Sequence, residues 1–150
     1  MTTDGIATDD WARVKACAVE LFYALDSDQE VECRLQLLHC LDELETKYGA
    51  LPSIVATRTD FTKDTSTREA LLLRAYSLAR ALGDGSNALH VAHALATLYI
   101  NDLTRCIEAS RWLVRLNKHI LEQQDAWHAA ELERLLDRFR LLHNGVSTGR

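Results

Sequence analysis

Apolar residues recur at steps of three and four along almost the whole chain, the spacing that lines one face of an α-helix. From Asp10, the positions Trp11, Val14, Cys17 or Ala18, Leu21 and Leu25 mark a first helix, with Asp9 or Asp10 placed to accept from its free amides. A second opens near Ser27 or Asp28 and carries Val31, Leu35, Leu38, Leu41 or Asp42, and Leu44. It stops at Tyr48-Gly49, where glycine can take the left-handed conformation that ends a helix, and Pro52 follows. Between Leu51 and Asp64, Ile54-Val55-Ala56 fits a short third helix flanked by threonines of lower propensity. Ser66-Thr67-Arg68-Glu69 has the reciprocal spacing of a capping box and predicts a fourth helix over 67–82, ended by Leu82-Gly83-Asp84-Gly85. Ser86 then caps a fifth over 87–100, with Leu89, Ala92 or His93, Ala96, and Tyr99 or Ile100 as its inner stripe. The sixth, over 103–123, is expected to bury Ile107, Ser110, Leu113 or Val114, and Ile120. Asp125 caps a seventh, whose Trp127, Leu132, Leu135, Leu136, Phe139 and Leu142 run to His143 before Asn144-Gly145 and a polar tail.

Helices joined by such short links pack as antiparallel neighbours, so the expected fold is all-α, a stack of helix pairs with a repeat of about 35–40 residues, the period range of helical solenoids.

The segment Arg74-Ala75-Tyr76-Ser77-Leu78-Ala79-Arg80-Ala81-Leu82-Gly83-Asp84 resembles the second helix and Leu-Gly-Asp turn of a tetratricopeptide repeat. Leu95-Ala96-Thr97-Leu98-Tyr99 is similar to the first helix that follows it, and Cys33, Leu37 and Cys40 supply a small, large, small pattern in the second helix. The likeness covers about a third of the chain. It decays at Arg68, around Trp11 and after Tyr99, where the pattern's small residues are missing or offset. The resemblance implies a right-handed stack of seven helices and a groove that takes a protein or peptide partner.

Composition narrows the rest. The 150 residues, 47% hydrophobic and 26% charged, are one domain's worth (1–150), enough to bury a core without disulfides, with loose ends expected at 1–8 and 144–150. One proline and six glycines are too few for a β-sandwich. Cys17, Cys33, Cys40 and Cys106 form no Cys-x-x-Cys pair, so reduced thiols and a cytoplasmic location are expected. The acidic first residues are unlike a signal peptide, and the longest uncharged stretch, 85–101, is interrupted by His90 and His93 and falls short of a membrane span. Residues 1–64 carry a net −7 and residues 65–150 a net +2, which argues against nucleic acid and suggests a homodimer pairing the acidic half of one copy with the weakly basic half of another.

Candidate chemistry is sparse. His90 and His93, three apart on the fifth helix, could share a metal, yet no carboxylate on that helix completes a site. Cys106, read as four positions into the sixth helix beside Arg105, is the one thiol near a helix start and a cation. Gly83-Asp84-Gly85 lacks the strand and lysine of a phosphate loop. Glu32, Asp42, Glu43 and Glu45 read as a solvated face. Arg111, Arg115 and Lys118 share one face of the sixth helix, flanked by Glu108 and Glu122, and are the expected partner-binding residues. The expectation is a non-catalytic interaction module without metal or cofactor. Two alternatives stand beside it: a metal or thiol enzyme built on His90, His93 and Cys106, and an acidic immunity or antitoxin-like protein.

Overall fold

A computed structural model describes residues 1–148, with side-chain surroundings through Gly145. Among the described residues there are seven helices and no strand: α1 (Thr8–Ala24), α2 (Glu30–Tyr48), α3 (Pro52–Asp60), α4 (Thr65–Leu82), α5 (Gly85–Asn101), α6 (Cys106–Gln123) and α7 (Ala126–Thr148). None is long and apolar enough to cross a membrane.

The punctuation explains the boundaries. Gly49 and Gly83 end α2 and α4 at φ 82° and 66°, a conformation that costs a side chain but not glycine. Pro52 opens α3 at its first turn, where no amide hydrogen is needed. Asp125 caps α7, accepting from the His128 amide at 2.9 Å. Other caps differ from expectation. The fourth helix starts earlier, because Asp64 accepts from both the amide and the hydroxyl of Thr67, at 2.8 and 2.6 Å. Ser66 lies exposed inside the first turn, so the capping box is not used. Asp84 likewise replaces Ser86, accepting from the Asn87 amide at 3.1 Å. Asp10 caps nothing; it ties α1 to α2, taking hydrogen bonds from Lys47 at 2.6 Å and from the Tyr48 hydroxyl. The sixth helix begins three residues later than 103, because the amides of Leu103 and Arg105 bond back to the Leu98 and Tyr99 carbonyls, at 2.9 and 3.0 Å.

Consecutive helices pack as neighbours, and α5 also touches α3 and α7, contacts consistent with a helical stack centred on α5. Two cores result. One gathers Ile6, Val14, Leu21, Leu37, Cys40, Leu41, Leu44 and Ile54. The larger surrounds α5, from Val55 through Leu95 and Leu116 to Leu135. Two expected stripes hold only in part: Leu41 and Leu44 on α2 and Leu113 and Ile120 on α6 are buried as expected, and the rest are not. On α2, Val31 and Leu35 face water and Leu37, Cys40, Leu41 and Leu44 are buried. On α6, Ile107, Ser110 and Val114 face water, while Ala109, Trp112, Leu113, Leu116 and Ile120 are inside.

The ends are more ordered than expected. Ile6 is fully buried, Asp4 accepts from the amide and hydroxyl of Ser53 at 2.7 and 2.9 Å, and Thr3 donates to Asp84 at 2.9 Å. Helix α7 continues past His143 to Thr148, and the last two residues of the expected tail lie outside the described ones.

Candidate partner-binding groove

Helices α4 and α6 both pack on α5 and meet one another through side chains, leaving a groove of about 500 Å³ between them. Its floor is aromatic. The Tyr76 ring stands edge-on to Trp112, with centroids 4.7 Å apart, and the Tyr76 hydroxyl shares a 2.9 Å hydrogen bond with Nε2 of His119. Trp112 and His119 are almost wholly buried, at 5% and 2% exposure, so these three rings are fixed by packing on both helices. Burial holds the His119 imidazole below its ordinary pKa of 6.5, and Arg80 reinforces this while Glu122 opposes it. Its Nδ1 lies 3.3 Å from the Glu122 carboxylate without forming a well-directed hydrogen bond.

The rim is cationic. Arg80 comes from α4, and Arg115 and Lys118 come from α6. The Arg115 guanidinium lies 4.5 Å over the Trp112 ring, a cation–π contact that holds it at the groove's edge. Lys118 is paired with Glu122 at 3.7 Å, whereas among the described residues no carboxylate forms an ion pair with Arg80, Arg111 or Arg115. Arg111 does not line the groove; it is exposed on the adjoining strip of α6. At about 100° per residue, Arg111 and Lys118 fall between the groove and a ridge formed by Ile107, Val114 and Leu121, which are 68, 69 and 70% exposed. Across α6 the surface thus runs from aromatic to cationic to apolar. Of the groove residues, Tyr76, Arg80, Trp112 and His119 were not expected to bind a partner; Tyr76 and Arg80 reach the α6 cations only through the packing of α4 beside α6, whereas Trp112 and His119 share α6 with them.

The expected histidine pair has acquired a third member. His128, at the start of α7, is 2% exposed and lies 4.9 Å from His90 and 5.4 Å from His93 between ring centroids, with Trp127 edge-on at 4.7 Å. Its Nδ1 is 3.1 Å from the Asp125 carboxylate, His93 is 3.9 Å from Glu131, and neither ring nitrogen of His128 has a well-directed hydrogen bond. Burial, followed by the neighbouring His128, lowers the pKa of His90 and of His93. Among the described residues no three His, Cys, Asp or Glu side chains are arranged to hold a metal ion. Cys106 is the first residue of α6, not its fourth, and follows the far end of α5. The eight residues from His93 to Asn101 put about 12 Å of helix between it and the histidines. The set His90, His93 and Cys106 is therefore not brought together.

The acids of α2 are largely engaged: Arg58 binds Asp42 and Glu45 at 2.6 and 2.9 Å, and Arg13 binds Glu43 at 2.8 Å. Compared with known protein families, with characterised proteins and with solved structures, the chain matches none.

Proposed function

We propose that this protein is a non-catalytic interaction module that takes a carboxylate-bearing, amphipathic segment of a partner protein across α6. The observation that carries the reading is the groove's make-up: Arg80 and Arg115 stand without carboxylate partners over a floor of Tyr76 and Trp112. Charge-assisted hydrogen bonds from arginine to a carboxylate are among the strongest recognition contacts, and buried aromatic rings beside them are the usual anchors of an interface. The adjoining strip of Arg111 and Lys118, and the apolar ridge beyond it, extend the surface to about the width a helix covers with one acidic and one apolar side. The resemblance of 74–84 and 95–99 to tetratricopeptide repeats supports the same reading, since that family binds peptides in the grooves of its helix stack.

A model peptide with glutamates and leucines on opposite sides of a helix tests this. Its binding should quench or shift tryptophan emission, weaken with added salt, and weaken at least tenfold, about 1.4 kcal/mol, in the Arg80→Glu, Arg115→Glu double variant, which should still fold cooperatively with only the small loss of stability expected from the Arg115–Trp112 contact. Equal binding of the peptide with glutamines in place of its glutamates, or undiminished binding by the variant, would overturn the reading.

A further inference from the structure

We propose that the outward face of α1 docks against the same face of a second copy of this chain, with the two helices antiparallel about a twofold axis level with Cys17 and Ala18. Helix α1 makes its close backbone contacts with α2 and reaches α3 only through inner side chains such as Val14 and Leu21 beside Ile54. Its inner side carries Val14, Leu21 and Ala24. On the opposite side Ala12, Ala16, Val19 and Tyr23 follow at steps of four, three and four, all exposed, with Phe22 against the Tyr23 ring at 5.6 Å. Val19, Phe22 and Tyr23 are 54, 68 and 81% exposed, an apolar row of the kind that marks an interaction surface.

The row is graded along the helix, and the grading selects its occupant. Small side chains fill its first half and large ones its second. A parallel copy would set large on large and leave a gap between alanines; an antiparallel copy sets Val19 opposite Ala16 of the second copy and Tyr23 opposite Ala12 of the second copy. A receptacle exists at that place, a hollow of about 310 Å³ bounded by Met1, Thr8, Trp11, Ala12 and Lys15.

Charge sorts the same way. Arg13 and Lys15 lie in the first half of the row, and Glu20 in its second half. Asp10 is occupied by Lys47 and Tyr48, and Asp9 and Asp26 lie outside the row, ahead of Ala12 and past Tyr23. Antiparallel copies therefore bring the exposed Arg13–Glu43 pair in reach of Glu20 of the second copy along one flank, and the Lys15 stem beside Phe22 of the second copy along the other. Such an isologous contact closes at two copies. It uses the N-terminal half twice, unlike a pairing of acidic with basic halves, and leaves the α4–α6 groove open on both copies. One helix per copy is a small interface, so the dimer is expected to dissociate on dilution.

Sedimentation of the purified chain across micromolar to millimolar concentration tests the proposal. A concentration-dependent dimer is expected, abolished by Val19→Glu, weakened by Arg13→Glu and restored when Glu20→Arg is added to Arg13→Glu. Val31→Ser with Leu35→Ser, on an exposed part of α2 away from the row, should leave it intact. Circular dichroism melts at dilute concentration check that each variant folds; a misfolded Val19→Glu is replaced by Ala16→Arg, for which the same loss is expected. A monomer at every concentration, a dimer indifferent to these α1 changes, or one lost with the α2 pair would overturn the proposal. None of these outcomes bears on the peptide groove, whose own variants lie on α4 and α6.

Discussion

The core around Leu41 and the core around Leu95 are both closed to water, yet they are built differently. The larger one is wrapped around α5, nine of whose residues are buried and which touches α3, α4, α6 and α7. The smaller one is a helical hairpin, α1 on α2, closed at one end by Ile54 of α3 and by Ile6 from the leading segment. Polar contacts fasten this hairpin to the rest: Asp4 to Ser53, Thr3 to Asp84, and Arg58 to Asp42 and Glu45. Neighbouring regions open separately when few apolar contacts cross between them. The contrast teaches that the α4–α6 groove belongs to the tighter region, and the α1 face to the looser one.

The largest expected effect comes from Leu95→Ala, at a site with no exposure in the centre of α5, which should cost about 2–5 kcal/mol and lower the protection of every helix in hydrogen exchange. Leu41→Ala, equally buried in the hairpin, should instead lower protection in α1 and α2 while leaving α5 and α6 nearly unchanged. Identical exchange patterns for the two variants would erase the distinction between the cores.

Acid should then separate them further. His90, His93 and His119 belong to the region around α5 and have lowered pKa values in the fold, so below pH 6.5 the unfolded chain takes up more protons than the folded one. Stability supplied by these neutral rings is complete above 6.5 and is lost as pH falls from there through their folded values. The hairpin's Asp10 and Glu30 are also lowered, from 3.8 and 4.5, so their contribution persists until much stronger acid. Near-UV dichroism or residue-resolved exchange between pH 7 and pH 5 should show the α5–α7 region loosening first.

Asp4→Ala comes next. Losing both hydrogen bonds to the buried Ser53 should cost about 1–3 kcal/mol and release the leading segment, measured as faster proteolysis before α1. The smallest effect is at the start of α4: Asp64→Ala should cost about 0.5–2 kcal/mol, whereas Ser66→Ala in the exposed first turn should change stability by less than about 0.5 kcal/mol in chemical denaturation.

Much of the helix order was legible because it is written locally. Gly49, Gly83, Pro52 and Asp125 act within a turn of their own position, and each marks the boundary it was expected to mark. The facing of α6 was not legible, because that helix carries two apolar rows. Ile107, Val114 and Leu121 keep a regular step, and so do Ala109, Trp112, Leu116 and Ile120; only docking on α5 decides between them. Competition also hid the caps at Asp64 and Asp84, since each lies two residues ahead of a serine equally able to accept from a free amide. Arg115 and Lys118 could be picked from spacing within one helix. Arg80, Tyr76 and His128 reach their neighbours across a gap of 35 residues or more, which no periodicity encodes.

Ile54 and Val55 are adjacent in the chain, and each is fully buried in a different core. A nine-residue helix that serves two sides in this way has no slack. One residue inserted or deleted before Ile54 turns all that follows by about 100° and advances it by about 1.5 Å, so neither side chain would still meet its own core. Insertions in the exposed link at 25–29 extend a surface turn and should be absorbed at little cost. In a library of random length variants, survivors should therefore carry their changes in that link, and α3 should keep its register.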